Sequence, residues 1–243
     1  MKDYHSFLNI MKLIVGIIAT DHDAYQTEAQ KVWKTYMHKH SDVTSFFLKV
    51  DNTKQDCSFD QETFYSTSPC PVETVENMVI KSLKFMEVML KKESWEYMLR
   101  TNLSSVFNWN IVLTILSNNR HCDVIANNVS QPHPNAWPVN IIPTGCGMFL
   151  SRKAVVGIVD EWKKDPDLLN FQHPDDVMIG ILLARAGFTT IANYNYDIVL
   201  PYMGTNINFF HLRCKMFNEP ILRVCYEIPM MQKWINSWYA LRT

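Results

Sequence analysis

The stretch "KLIVGIIATDHDAYQTEAQKVWKTYMHKH", residues 12–40, decides the fold class. Residues 12–19 are rich in β-branched side chains, with no two-residue alternation. That is the pattern of a strand buried on both faces of a parallel sheet. The chain turns polar at Thr20-Asp21, and Asp21 or Asp23 is placed to cap a helix. An amphipathic helix is expected from there to about His40.

The alternation of strand and helix continues outward from this unit. "TSFFLKV" (44–50) reads as a second strand closed by Asp51-Asn52, and 51–72 as a polar loop around a short strand near Phe64. "ETVENMVIKSLKFMEVMLKK" (73–92) carries apolar residues at 75, 79, 83, 86 and 90 and predicts a helix. "WEYMLR" (95–100) reads as the next strand and "VFNWNIVLTIL" (106–116) as the helix after it. "CDVIAN" (122–127) is a further strand, followed by the proline-rich loop "QPHPNAWPVN". "GCGMFLS" (145–151) predicts a strand leading into the helix "RKAVVGIVDEWKK". "HPDDVMIGILLARAG" (173–187) starts a helix with Pro174 in its first turn and Gly187 as its C-cap. "FTTIAN" and an aromatic tail complete the chain. The order implies an α/β fold, a mostly parallel sheet with helices on both faces, and one domain over residues 1–243.

Composition narrows the function classes. With 47% hydrophobic residues the chain is globular, and a formal net charge of −1 gives no electrostatic footprint for nucleic acid. The apolar run Leu13–Ala19 is far short of the roughly 20 residues that span a bilayer. No cleavable signal is read in the first residues, so a cytoplasmic or otherwise soluble protein is expected. The six cysteines show no zinc spacing; Cys57 and Cys70 flank a polar loop, with free thiols or a bridge as the two readings. "GIIATDHD" has a single glycine, which argues against a dinucleotide-binding turn and an oxidoreductase.

In open α/β sheets, ligands bind beyond the carboxyl ends of the strands. That gives weight to Thr20-Asp21, to Asp51 and to Thr101–Ser105. Asp175 and Asp176 stand together at a helix N-terminus, where the dipole favours carboxylates; capping is the alternative reading. Gly145 and Gly147 mark a close backbone approach or tight packing. His211, Arg213 and Lys215 alternate, so an extended segment projects all three to one side, as a phosphate site or a solvated edge. "TDHD" imitates a metal-binding pair but directly precedes a helix, where a cap is the simpler reading.

Taken in order, several segments resemble glycosyltransferases of the GT-A fold, in the branch of Fringe and the β-1,3-galactosyltransferases. They are "IIAT" with the helix bearing "KVWKTY", "FFLKVD", the helix with Lys81 leading to the central strand, "PTGCGMFLSRKAV", "PDDVMIGILLARAG" and the late "FFHLR". The resemblance spans about residues 13–215 and implies a nucleotide-binding half (about 12–127) and an acceptor and catalytic half (about 128–243). It implies inverting transfer from a nucleotide sugar, a UDP-sugar in the first instance, to a hydroxyl of a glycan or glycoprotein. Asp176 would be the general base and Asp175 the reserve. Thr20, Asp51, Arg100, Asn102, Ser104, Gly145, Gly147, His211 and Arg213 would contact the donor, and Trp137 would stack on an acceptor sugar.

The chain departs from the family at one place. Asn102-Leu103-Ser104 stands where the family has its Asp-x-Asp triplet, and neutral oxygens are poor primary ligands for Mn²⁺ or Mg²⁺. Three options follow. Cations (Arg100, His211, Arg213, Lys215) replace the metal; or a metal is held weakly with His211; or the chain is a catalytically silent sugar- or nucleotide-binding relative. The family's animal members carry a membrane anchor that is not seen here, so a microbial or viral enzyme is expected.

Overall fold

The computed structural model describes residues 11–68, 74–92, 94–128, 139, 142–170, 173–194, 197–198 and 210–239. Strand β1 (Leu13–Ile18) lies between β2 (Val43–Val50) and β5 (Tyr97–Asn102) and runs parallel to both. Beyond β2 come β4 (Thr63–Ser66), parallel to it, and β3 (Ser58–Asp60), antiparallel to β4. Beyond β5 come β8 (Pro143–Ser151) and β7 (Val124–Asn128), each antiparallel to its neighbour, and then β9 (Ala192–Asn193), parallel to β7. The result is an eight-stranded mixed sheet in the order β3-β4-β2-β1-β5-β8-β7-β9.

Side chains of successive strand residues leave on opposite faces, and this divides the core in two. Leu13, Val15 and Ile17 face α1 (Ala24–Lys34), α3 (Trp109–Asn118) and, near the chain end, the helix of residues 228–239, together with Phe47, Leu99 and Phe149. Ile18, Leu48, Met98, Met148 and Leu150 face α2 (Val75–Leu90), α4 (Arg152–Lys164) and α5 (Asp175–Arg185). Both faces of the sheet are therefore covered, which explains why β1 reads as an unbroken apolar run.

The expected helix to His40 stops at Lys34, and the chain continues in turns that bury Tyr36 and Met37. The expected loop 51–72 contains β4 at Phe64, but also β3, paired to it across a two-residue turn with Gln61 at φ 50°. The helix placed over 106–116 begins only at Trp109. Ser105–Phe107 is instead β6, which pairs with β11 (His211–Arg213); with β10 (Asp197–Ile198) they form a separate three-stranded sheet. Gly187 is in the left-handed region at φ 86°, just past α5, as its C-terminal position requires. The tail is helical: α6 (Pro220–Leu222), a π-helical turn Arg223–Glu227, and α7 (Ile228–Tyr239). No helix among the described residues is long and apolar enough to cross a membrane. Cys57 carries a free thiol, and Cys70 lies outside the described residues.

Between β5 and β6 the chain makes its turn at Leu103-Ser104, and one tryptophan fixes it. Trp33 of α1 is fully buried and its Nε1–H donates to the Leu103 carbonyl at 3.1 Å. Cys214 beside β11 donates its N–H to the Ser104 carbonyl at 2.7 Å. Replacing Trp33 by Phe keeps an aromatic ring but leaves a buried carbonyl without its donor, a cost of about 1–3 kcal/mol. Urea unfolding of Trp33→Phe is expected to show a loss of that size.

Candidate functional site

The carboxyl ends of β1, β2 and β5 share one edge of the sheet, and antiparallel β8 brings its first residues to the same edge. Arg100, near the end of β5, is only 4% exposed. Its Nη1 donates to the Gly145 carbonyl at 2.6 Å, and its Nη2 is ion-paired with Asp175 at the start of α5. A buried guanidinium is tolerated only when paired in this way. Gly145 is required by the same contact, since a Cβ there would lie 2.6 Å from Arg100 Nη1.

Asp175 and Asp176 are the first residues of α5, after Pro174 in the N-cap position. Adjacent helical residues point about 100° apart. Asp175 turns to Arg100, while Asp176 lines a cavity of about 390 Å³ with Ile18, Met78, Asn102 and Gly145. Asp176 Oδ1 also accepts from the Val177 N–H at 3.0 Å.

Asn102 and Arg213 belong both to this cavity and to a second of about 220 Å³, so the two adjoin. The second is lined by Thr20, Gln26, Ser104, Lys215 and Arg223. Asn102 Oδ1 accepts from Ser104 Oγ at 2.8 Å, and Leu103 between them is buried in the core. Arg213, Lys215 and Arg223 make the lining of this second cavity basic. Burial, together with Arg213 and Arg223, holds the Lys215 ammonium below the ordinary lysine value, the sign of cations gathered in one place.

The structure thus brings Asp176, Asp175, Arg100, Asn102, Ser104, Thr20, Gly145, Arg213 and Lys215 around one cleft. Four of the expected donor contacts have other surroundings or other partners. Arg100 lines the cavity, but its charge is committed to Asp175. Asp51 lines neither cavity; its carboxylate accepts from the Thr53 N–H and hydroxyl, which holds its pKa down. Gly147 makes room for Tyr194 Oη, which a Cβ would approach to 2.7 Å. His211 is buried beneath the small sheet, stacked on Phe107 at 4.3 Å, with Nδ1 3.2 Å from Tyr194 Oη. Burial first, then Arg213, push its pKa down to about 3, which disfavours the imidazolium, and it lines neither cavity. Trp137 lies outside the described residues. In the "TDHD" segment, Asp23 caps α1 through the Gln26 N–H at 2.8 Å, and Asp21 pairs with Lys49 at 2.7 Å.

Sequence reasoning missed Met78, Gln26 and Arg223. The last had one weak signal, an Arg–Glu pair four residues apart in "RVCYE".

No protein-family model matches the chain, and no curated protein matches it in sequence. Among solved structures it is similar to a glycosyltransferase involved in the glycosylation of the major capsid of PBCV-1. The TM-score is 0.52 at 9% identity, covering 91% of this chain and 99% of that one. It is also aligned with the galactosyltransferase LgtC in complex with donor and acceptor sugar analogues, at a TM-score of 0.47 and 10% identity, over 96% and 97% of the two chains. At such identities the first likeness shows the fold alone: the chain has the Rossmann-like GT-A fold.

Two measurements test the site's construction. Asp175→Asn leaves a buried guanidinium without its counter-charge and should lower stability by about 3–5 kcal/mol in urea unfolding. His211 titrates near 6.5 when unfolded but about 3 when folded, so the unfolded chain binds its proton first as pH falls. Stability should be lost as pH drops from 6.5 toward 3, with this residue adding up to about 1.4 kcal/mol per pH unit. His211→Phe should remove that part of the acid slope.

Proposed function

We propose that the chain is an inverting glycosyltransferase acting on a nucleotide diphospho-sugar, a UDP-sugar in the first instance, with a hydroxyl of a glycan or glycoprotein as acceptor. The observation that carries this reading is one cleft at the carboxyl edge of a GT-A-type sheet, with Asp176 lining one of its two adjoining cavities and a basic lining in the other. The ordered resemblance to the Fringe branch points the same way.

In this mechanism Asp176 takes the proton of the acceptor hydroxyl. The acceptor oxygen forms a bond to the anomeric carbon as that carbon's bond to the diphosphate breaks. The diphosphate leaves with the electron pair, and configuration at the anomeric carbon inverts. General-base assistance of this kind contributes on the order of 10²–10⁴ in rate. Arg213 and Lys215 stabilise the departing negative charge, since fixed cations act where charge develops. Asn102 and Ser104 contact donor oxygens, and Thr20 lies on the nucleoside side of the cleft.

Mn²⁺ or Mg²⁺ fits these residues poorly. Asn102 Oδ1 already accepts a hydrogen bond from Ser104, Asp175 is spent on Arg100, and His211 is buried and lines neither cavity, which leaves the carboxylate of Asp176. Hard divalent cations bind through several oxygens, carboxylates foremost. No step of the mechanism is routed through a metal.

Asp176→Asn should reduce transfer by at least a hundredfold while leaving nucleotide binding and the unfolding midpoint unchanged. Unaltered turnover would defeat the assignment. The rival reading is a catalytically silent binding protein. Hydrolysis of any UDP-sugar by the wild type, lost in Asp176→Asn, decides against that rival.

A further inference from the structure

The C-terminal segment contributes to the cleft in a way that the strand-end rule does not foresee. Arg223 opens the π-helical turn Arg223–Glu227, and such wide turns are frequent at functional sites. Two contacts hold its guanidinium. Its Nε–H donates to Glu227 Oε2 at 2.9 Å, and its Cζ lies 3.5 Å from the centroid of the Tyr25 ring. Both supports are themselves buried. Glu227 is fully buried and accepts from the Met216 and Phe217 N–H groups at 2.7 and 3.0 Å, and Tyr25 is 1% exposed.

An arginine carries five N–H donors, and Glu227 takes the one on Nε. The two Nη groups form the planar fork that suits two phosphate oxygens. Arg223 lines the same cavity as Lys215 and Arg213, and the depressed Lys215 pKa has both arginines among its causes. Glu227 is the carboxylate paired with Arg223, so these three cations and one anion leave the cluster net positive. A buried carboxylate and an aromatic face used to anchor one of them fit a preorganised anion site.

We infer that Arg223, anchored by Glu227 and Tyr25, completes with Arg213 and Lys215 a three-cation cradle for the diphosphate group of the donor. The inference rests on the nucleotide-sugar reading and adds the element that receives the phosphates: the C-terminal helical segment, not the turn after the central strand. The cradle does the work of a metal, so diphosphate binding needs none.

Calorimetric titration of the full chain in EDTA, at fixed ionic strength, with inorganic pyrophosphate, UDP and uridine tests this. Wild type is expected to bind pyrophosphate and UDP. Arg223→Gln alone would strand a buried carboxylate, so it is made together with Glu227→Gln, whose amide oxygen still accepts from Met216 and Phe217. The double variant should lose at least tenfold in affinity for pyrophosphate and UDP, with uridine binding unchanged. Lys215→Glu, at an exposed position, should weaken both anions at an unchanged unfolding midpoint, and it carries the test if the double variant does not fold. Unaltered pyrophosphate affinity in either folded variant, or wild-type binding of pyrophosphate only with Mn²⁺, overturns the cradle and leaves the transferase reading standing. Failure of wild type to bind UDP or pyrophosphate with or without Mn²⁺ overturns both.

Discussion

A guanidinium placed in the middle of a hydrophobic sheet sets the terms for the rest of this fold. Arg100 emerges from β5 with almost no contact with water, and its charge must be met from within. The Gly145 carbonyl meets it from β8 and the Asp175 carboxylate from α5. These two contacts tie three elements, distant in sequence, to one point on the carboxyl edge. They hold the start of α5 at this point, and Asp176, the next residue along the helix, lines the same cavity as the ion pair.

That division of labour bears on how far the sequence could be read. The α/β class was legible in the uninterrupted apolar run of β1 and the amphipathic helix after it, since burial on both faces leaves a local pattern. Helix α4 was legible to the residue. Strand β6 was not. Val106-Phe107 reads equally well as the start of the following helix, and only the pairing with β11, more than a hundred residues away, makes it a strand. The tail failed for a related reason. Its aromatic and methionine side chains suit many structures until Met231 and Trp234 find the face of the sheet shared with Trp33.

The cleft was legible as a position more than as a set of roles. The rule of strand ends found Thr20, Asn102 and Ser104, but not that Asp51 is absorbed in a hydrogen-bonded turn with Thr53. Alternation along "HLRCK" put His211, Arg213 and Lys215 on one side of a segment. It could not register depth: His211 lies under the small sheet against Phe107, whereas Arg213 and Lys215 reach the cleft. The same limit applied to the paired aspartates, whose roles separate only when Arg100 is seen beneath one of them. Arg223 had the faintest signal, because its meaning depends on Tyr25 and Glu227, one distant in sequence and the other an ordinary helical partner.

The neutral triplet Asn102-Leu103-Ser104 can be understood from the charges around it. Asn102 and Ser104 share their cavity with Arg213, Lys215 and Arg223. Carboxylates at 102 and 104 would meet those cations in the cleft and pair with them, so that a diphosphate would have to displace an existing bond to gain a new one. An amide and a hydroxyl bonded to each other bring no negative charge to compete with an incoming anion for those cations. Exchanging the triplet for its acidic counterpart would therefore be expected to close the cleft to anions unless a divalent cation came with them. On the proposed reading, the missing carboxylates and the added arginine on the C-terminal segment are two parts of one electrostatic solution, in which the positive charge is built into the chain.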